Sequence, residues 1–198
     1  PVFIVAEMAA NHNQNLQKAK EIVRAAKDAG ADAIKVQLYR PDTLTINVKN
    51  KWFLVKGNNP DWNGKTFYDL YEKAYMPWEW YGDLKKIAEK SGVILFSSVF
   101  DEASVDFLEK MGCPAYKIAS FELADFDLLR KVARTKKPVI LSKGMASLKE
   151  IKEALSVLKK NGAKDIALLH CVSSYPAKME DMNLNTIYDI KKRFNVVP

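Results

Sequence analysis

The sequence predicts an α/β chain, a TIM-type (β/α)8 barrel of which about six βα units are present. Three observations carry that prediction. Short apolar runs start near Val2, Ala33, Val93, Pro114, Pro138 and Asp165, and segments of helical period lie between them. Five of the six successive steps, counting Val196 as the next start, are 21 to 31 residues long, the repeat of a βα unit in a parallel sheet. No Gly-x-Gly-x-x-Gly follows the first run, so the dinucleotide-binding open sheet loses its main support. Six strands cannot close an eight-stranded cylinder, and Val196-Val197-Pro198 reads as the opening of a seventh. A truncated barrel over 1–198 is therefore expected, lacking its carboxyl-terminal part.

Each element follows from its residues in turn. The first run, Val2 to Ala6, ends in Glu7. The polar cluster Asn11-His12-Asn13 comes next, and Asn13 or Asn15 stands where it can cap a helix whose stripe is Leu16, Ala19, Ile22, Val23 and Ala26, closed by Gly30. In the second run Lys35 and Gln37 share one strand face, and Ile34, Val36 and Leu38 share the other. The polar pair must then look into the barrel and up. The long step to Val93 holds an excess at about 40–76, rich in Gly, Asn and aromatic residues such as Trp52, Phe53, Trp62, Phe67 and Tyr68. It reads as an ordered loop over the ligand face, because so many aromatics need something to pack against, with a packing role alone as the equal alternative. The third run ends in Ser97 and Ser98. The fourth carries Lys117 opposite Tyr116 and Ile118 and ends in Ser120, the fifth ends in Ser142, and Ser173 follows the sixth. A helix between the last two runs has Ser147 as N-cap, a stripe of Leu148, Ile151, Leu155 and Leu158, and Gly162 near its end.

Composition narrows the function classes. At 48% hydrophobic and 28% charged the chain is an ordinary globular domain, with no run of membrane-spanning length. The start, Pro1-Val2-Phe3, carries neither a basic leader nor a cleavage site, so a cytoplasmic location is expected. The net charge of +7 suits an anionic small molecule or nucleic acid, but the lysines are scattered along helix surfaces without a basic stripe, which argues against nucleic acid. Cys113 and Cys171 are too few for a disulfide scaffold and are expected to be buried, reduced thiols. Cys171 adjoins His170, yet adjacent strand residues face opposite ways, so a Cys-His pair is not expected.

What remains is a rim of polar groups at the carboxyl ends of the strands. A buried ammonium needs an anion. Glu7 can pair with one lysine and leave no ligand to explain, which for any single pair is as good a reading as a binding site. Two lysines, with Ser98, Ser120, Ser142 and Ser173 on the same rim, exceed what one glutamate satisfies and point to a phosphate or carboxylate cradle. Neither histidine has companions at metal-ligand spacing, so no metal site is expected within this chain.

Six collinear motifs then resemble the sialic acid synthase family. They are Glu7-Met8-Ala9-Ala10-Asn11-His12-Asn13-Gln14, Lys35-Val36-Gln37, Phe96-Ser97-Ser98-Val99-Phe100-Asp101, Tyr116-Lys117-Ile118-Ala119-Ser120, Ser142-Lys143-Gly144-Met145 and Ser173-Ser174-Tyr175-Pro176. Phe67-Tyr68-Asp69-Leu70-Tyr71 and Pro77-Trp78-Glu79-Trp80 are most similar to its pseudaminic acid synthase branch. The resemblance implies condensation of phosphoenolpyruvate with an open-chain acetamido sugar to a nine-carbon ulosonic acid and phosphate. An N-acetylneuraminate or legionaminic acid synthase is the nearby alternative. By the same resemblance Lys35, Ser98, Lys117, Ser120, Ser142 and Ser173 surround phosphoenolpyruvate, and Asn11, His12, Gln37 and Tyr175 face the sugar. Glu7 and Lys117 stand as catalytic groups. A divalent ion, manganese or magnesium, is implied with its ligands beyond Pro198, as are a carboxyl-terminal antifreeze-like domain and a homodimer. The sequence departs from the family at Lys143, Val99 and Ser173, and the role of Lys143 stays open. Two readings of other classes remain: a Schiff-base aldolase acting through Lys117, and an inactive anion-binding fragment.

Overall fold

The computed structural model describes residues 2–56, 62–174 and 176–198. Two compact units divide the chain, Pro1–Phe96 and Ser97–Pro198.

In the first unit, β1 (Val5–Glu7) and β2 (Ala33–Leu38) pair in parallel, with Val5 opposite Ala33, Ala6 opposite Ile34 and Glu7 opposite Lys35. The first apolar run is shorter as a strand than its sequence promises. Val2, Phe3 and Ile4 are exposed, and pairing starts where the Ile4 N–H donates to the Asp32 carboxylate and the Ile4 carbonyl accepts from Ala33. Helix α1 (Leu16–Asp28) is capped by Asn15, whose side chain accepts from the Lys18 N–H at 3.0 Å. It buries Ala19, Val23 and Ala26 against α4 (Trp80–Ser91), which offers Tyr81, Leu84 and Ala88. The small residues on α1 let the two helices approach closely, and a Lys20–Asp83 ion pair at 2.8 Å bridges them and holds the Asp83 carboxyl below its usual range.

The long insertion before α4 is ordered in part by its own helices, α2 (Pro41–Leu44) and α3 (Phe67–Ala74). Thr66 and Asp69 form a capping box: the Thr66 hydroxyl accepts from the Asp69 N–H at 3.0 Å, and the Asp69 carboxylate accepts from the Thr66 N–H at 2.9 Å. Leu54 and Thr66 form an antiparallel bridge ahead of α3. The aromatics do not all pack as expected, since Trp52 and Trp62 stand 77% and 50% exposed. Trp52 instead carries the Lys51 ammonium over its ring at 4.9 Å. Gly57, Asn58, Asn59 and Pro60, part of the loop reading, lie outside the described residues.

Strand β3 (Ile94–Val99) ends in the second unit, where it pairs in parallel with β4 (Tyr116–Ile118), β4 with β5 (Val139–Ser142) and β5 with β6 (Ile166–Leu169). Helices α5 (Glu102–Lys110), α6 (Phe126–Arg134) and α7 (Leu148–Lys160) alternate with them, and α8 (Thr186–Phe194) follows β6. Asp101, Asp125 and Ser147 cap α5, α6 and α7 through their side-chain oxygens. Leu128, Leu129, Val132 and Ala133 of α6 and Ile151, Ala154, Leu155 and Leu158 of α7 form the buried interface of that helix pair. Each fully buried leucine there contributes about 1.5–3 kcal/mol. Leu148, expected in the α7 stripe, is the first residue of the helix and is 48% exposed. Val197 bridges Ala167 in parallel, and its carbonyl accepts from the Leu168 N–H at 2.8 Å, as a seventh strand beginning there requires.

Candidate active site

Strand alternation decides which side chains reach the site. On β2 the residues Ile34, Val36 and Leu38 are buried while Lys35 and Gln37 keep partial access, as their two-residue spacing demands. Glu7 lies opposite Lys35 in the β1–β2 register, so the two side chains leave the same face and form an ion pair. Lys35 is the more enclosed partner, its side chain 14% exposed against 38% for Glu7. The Glu7 carboxylate also accepts from the Ala9 N–H at 3.1 Å, which fixes its direction at the start of the following turn.

That turn contains Asn11 and His12. Asn11 is exposed and its amide donates to the Met8 carbonyl at 2.9 Å. His12 has no accessible surface: its Nδ1 accepts from the Gln14 N–H at 3.1 Å and its ring meets Trp80 edge-on, with centroids 5.5 Å apart. Burial lowers its pKa, so the imidazole is neutral, with the proton on Nε2. In this structure His12 shapes the turn from beneath.

The second unit gathers a larger group. Ser98 and Lys117 are register partners on β3 and β4, and Lys117 is opposite Ile140 on β5. Ser142 stands two residues beyond Ile140, on the same face and one layer higher. The Lys117 ammonium rises to it, donating to Ser142 Oγ at 2.6 Å and to the Ile118 carbonyl at 2.7 Å. Ser98, Lys117 and Ser142 are 2%, 8% and 7% exposed. Tyr116 and Ile118, on the other face of β4, are fully buried as the alternation requires.

Above this layer the chain makes a close crossing. Gly144, at φ +47°, lies so near Ser120 that a Cβ there would overlap the Ser120 Cβ and stand 2.9 Å from both the Ser120 and the Ser173 hydroxyl oxygens. A residue without a side chain thus brings these two hydroxyls together. The Gly144 N–H donates to Cys171 Sγ at 3.2 Å. Cys171 is only half-buried, against expectation, because the turn after β6 leaves it at the rim, whereas Cys113 is buried. His170 turns instead to the Met182 carbonyl, 2.6 Å from Nε2, so the two adjacent residues have separate partners. Among the described residues Lys143 donates to the Gly144 carbonyl alone, at 3.3 Å. Tyr175 lies outside the described residues.

One group in this region has no counterpart in the sequence reading. Glu122 sits in the 3-10 turn Phe121–Ala124 directly after Ser120, and its Oε2 is buried without a hydrogen-bond partner among the described residues. Burial raises its pKa, opposed by Lys117 and reinforced by Asp125. The signal was present: an acid two residues past a rim serine falls under the same carboxyl-end rule that selected Ser120. The folded protein binds this proton more tightly than the unfolded chain. Stability is therefore full in acid and falls as pH rises from 4.5 through the folded value. Glu122→Gln is expected to melt higher than the parent at neutral pH, with the gap closing toward pH 4. Thermal melts across that range check it; a gap that does not change with pH rules the ionisation out.

Among the described residues no group of three or more His, Cys, Asp or Glu is placed to hold a metal ion. The groups the second unit gathers, an enclosed ammonium and several hydroxyls, are those that bind an oxyanion.

Comparison with known proteins agrees with the fold and the motifs. The NeuB family matches residues 22–198. Pseudaminic acid synthase of Helicobacter pylori is 45% identical over 196 residues, 99% of this chain and 57% of that protein. N,N'-diacetyllegionaminic acid synthase of Legionella pneumophila is 37% identical, covering 98% of this chain and 55% of that protein. The crystal structure of N-acetylneuraminic acid synthetase from Leptospira borgpetersenii in complex with citrate superposes with a TM-score of 0.85 at 33% identity, over 99% of this chain and 63% of that one. The chain spans about half the length of the curated relatives it matches. Its fold is that of the TIM-type synthase domain, represented by six βα units.

Proposed function

Because the chain belongs to the NeuB family, we propose that this protein condenses phosphoenolpyruvate with the open aldehyde form of an acetamido sugar, giving a nine-carbon ulosonic acid of the pseudaminic type and inorganic phosphate. The observation that carries the reading is the Lys117 ammonium, 8% exposed and aimed at Ser142 Oγ, in register with Ser98. An ammonium held among hydroxyls at the carboxyl end of a strand is the arrangement that binds a phosphate or carboxylate. Phosphoenolpyruvate supplies a phosphate and a carboxylate.

In the reaction the enol carbon attacks the aldehyde carbon, a C–C bond forms, and the aldehyde oxygen takes a proton. Positive charge develops at the carbon bearing the phosphate, water adds there, and the C–O bond to phosphate breaks to leave the ketone. Lys117, with Ser98, Ser120, Ser142 and Ser173, holds the anionic substrate and stabilises the departing phosphate; Lys35 adds a second cation. Glu7, fixed by Lys35 and the Ala9 N–H, orients the water or accepts its proton. Asn11 and Gln37 face the sugar, the family resemblance gives Tyr175 a sugar-binding role as well, and His12 acts by holding the Asn11 turn.

The family resemblance brings a divalent ion, manganese or magnesium, with ligands expected beyond Pro198. The described residues make no metal site of their own, and every role above belongs to this chain's own side chains. The same reading makes the protein a cytoplasmic homodimer; no described helix is long and apolar enough to cross a membrane.

The test is phosphate release from phosphoenolpyruvate by the full-length protein with manganese and candidate acetamido sugars, with the product identified by mass. Sugar-dependent release together with the condensed product is expected. A borohydride-trapped adduct on Lys117 without phosphate release would replace this reading with the imine-forming aldolase.

A further inference from the structure

At the carboxyl end of β5 a side chain takes over from the backbone of the neighbouring strand. Ser142 and Leu169 are register partners on β5 and β6, and the ladder runs one bond further, from the Lys143 N–H to the Leu169 carbonyl at 3.1 Å. There the chain leaves the sheet. Lys143, Gly144, Met145 and Ala146 form a turn closed by the Ala146 N–H, which donates to the Lys143 carbonyl at 2.9 Å, and Gly144 takes the left-handed backbone inside it. Gly144 is buried, so its N–H needs an acceptor within the protein. That acceptor is Cys171 Sγ at 3.2 Å, while the Lys143 ammonium holds the Gly144 carbonyl at 3.3 Å.

The residue held in this way is the one on which two rim hydroxyls converge. A Cβ on Gly144 would stand 2.9 Å from both Ser120 Oγ and Ser173 Oγ. Ser173 follows Cys171 by two residues, so one short segment supplies the acceptor that holds Gly144 and a hydroxyl whose place Gly144 sets. Ser142, which accepts from Lys117, precedes Gly144 by two residues. Three serines assigned to phosphoenolpyruvate thus meet at a turn whose inner N–H is held by a thiol. Sulfur is a weak acceptor, but the C–S bond is longer than a C–O bond, and a hydroxyl on the same backbone would stand farther from the Gly144 nitrogen.

We propose that Cys171 is a positioning residue for phosphoenolpyruvate: by accepting the Gly144 N–H, its thiol holds the turn at 143–146 against Ser120 and sets the spacing of the Ser120, Ser142 and Ser173 hydroxyls. Cys171 acts through Gly144 alone, and no proton or covalent bond passes through its sulfur. The inference rests on the synthase reading above and names the group that keeps the oxyanion-binding hydroxyls in place.

The experiment uses the full-length protein and its Cys171→Ala and Cys171→Ser variants, with hydrogen exchange at the Gly144 amide read by NMR on protein carrying isotope-labelled glycine. Alanine leaves the buried N–H without its acceptor. Exchange at Gly144 should speed up at least about tenfold, and KM for phosphoenolpyruvate should rise about five- to tenfold, the effect of one lost hydrogen bond to a buried donor. KM for the sugar should hold. Serine restores an acceptor at a longer distance and should recover part of both effects. A packing role alone would lower the melting temperature and the active fraction, which reduces kcat and leaves KM for phosphoenolpyruvate where it was; that pattern would overturn the proposal. So would exchange at Gly144 that matches the parent, or equal rises in KM for the alanine and serine variants, since the loss would then not be that of an acceptor. If the alanine variant fails to fold, the serine variant decides: faster exchange with a raised KM supports the proposal, and parent values overturn it. In a parent that binds phosphoenolpyruvate without turnover the synthase reading fails, whereas a calorimetric Kd raised about five- to tenfold by Cys171→Ala still supports the positioning role and an unchanged Kd overturns it.

Discussion

Lys117→Met is expected to weaken phosphoenolpyruvate binding by about 30- to 1,000-fold, the roughly 2–4 kcal/mol that a buried, hydrogen-bonded charge contributes to holding an anion. Methionine keeps the length and apolar stem of lysine, so the β4 packing survives and only the ammonium is lost. Removing it frees Ser142 Oγ and the Ile118 carbonyl of a donor, a cost partly offset because a charge at 8% exposure no longer has to be kept from water. The melting temperature should therefore move little while the affinity collapses. Lys35→Met should follow the same pattern more weakly, since the Lys35 charge is shared with Glu7. Calorimetric titration of phosphoenolpyruvate into each variant, with a thermal melt of the same sample, separates the outcomes. Variants that unfold but bind normally would show that both lysines serve only to pair carboxylates.

Gly144→Ala should lose both stability and activity. The new Cβ would overlap the Ser120 Cβ, which is anchored at the end of β4 and cannot swing aside as the tip of a long side chain would. The left-handed backbone at φ +47° adds about 1–2 kcal/mol for any side chain. Overlap and backbone together predict a loss of about 2–5 kcal/mol. Turnover should fall at least about a hundredfold, because Ser120 and Ser173 are the groups pushed apart. Gly92→Ala is the matched control: at φ +68° it shares the backbone penalty, but nothing lies within 4 Å of the added Cβ. Comparing denaturation midpoints of the two variants isolates the clash. Equal losses would mean that the Ser120 crossing yields without strain.

Much of this was legible in the residues alone, because it rests on local periodicity. The two-residue alternation correctly set Lys35 and Gln37 apart from Ile34, Val36 and Leu38, and Lys117 apart from Tyr116 and Ile118. The caps at Asn15 and Ser147 and the parallel strand pairing within each unit followed from the same short-range rules. What the sequence hid depends on the third dimension. Whether Trp52 is buried, whether Leu148 is covered, and whether His12 meets Trp80 are questions of distance between segments, which composition does not encode. Glu122 fell under the same carboxyl-end rule as Ser120, but what singles it out, an oxygen buried with no hydrogen-bond partner among the described residues, is a property only coordinates reveal.

The central claim is that Lys117 and the serines around it hold phosphoenolpyruvate, and its most direct measurement is a crystal of the full-length protein soaked with phosphoenolpyruvate. Density for the ligand should lie within hydrogen-bonding distance of Lys117 Nζ, with Ser142 and Ser120 hydroxyls on its oxyanions. A ligand bound elsewhere, with the Lys117–Ser142 contact closed over an empty space, would contradict it.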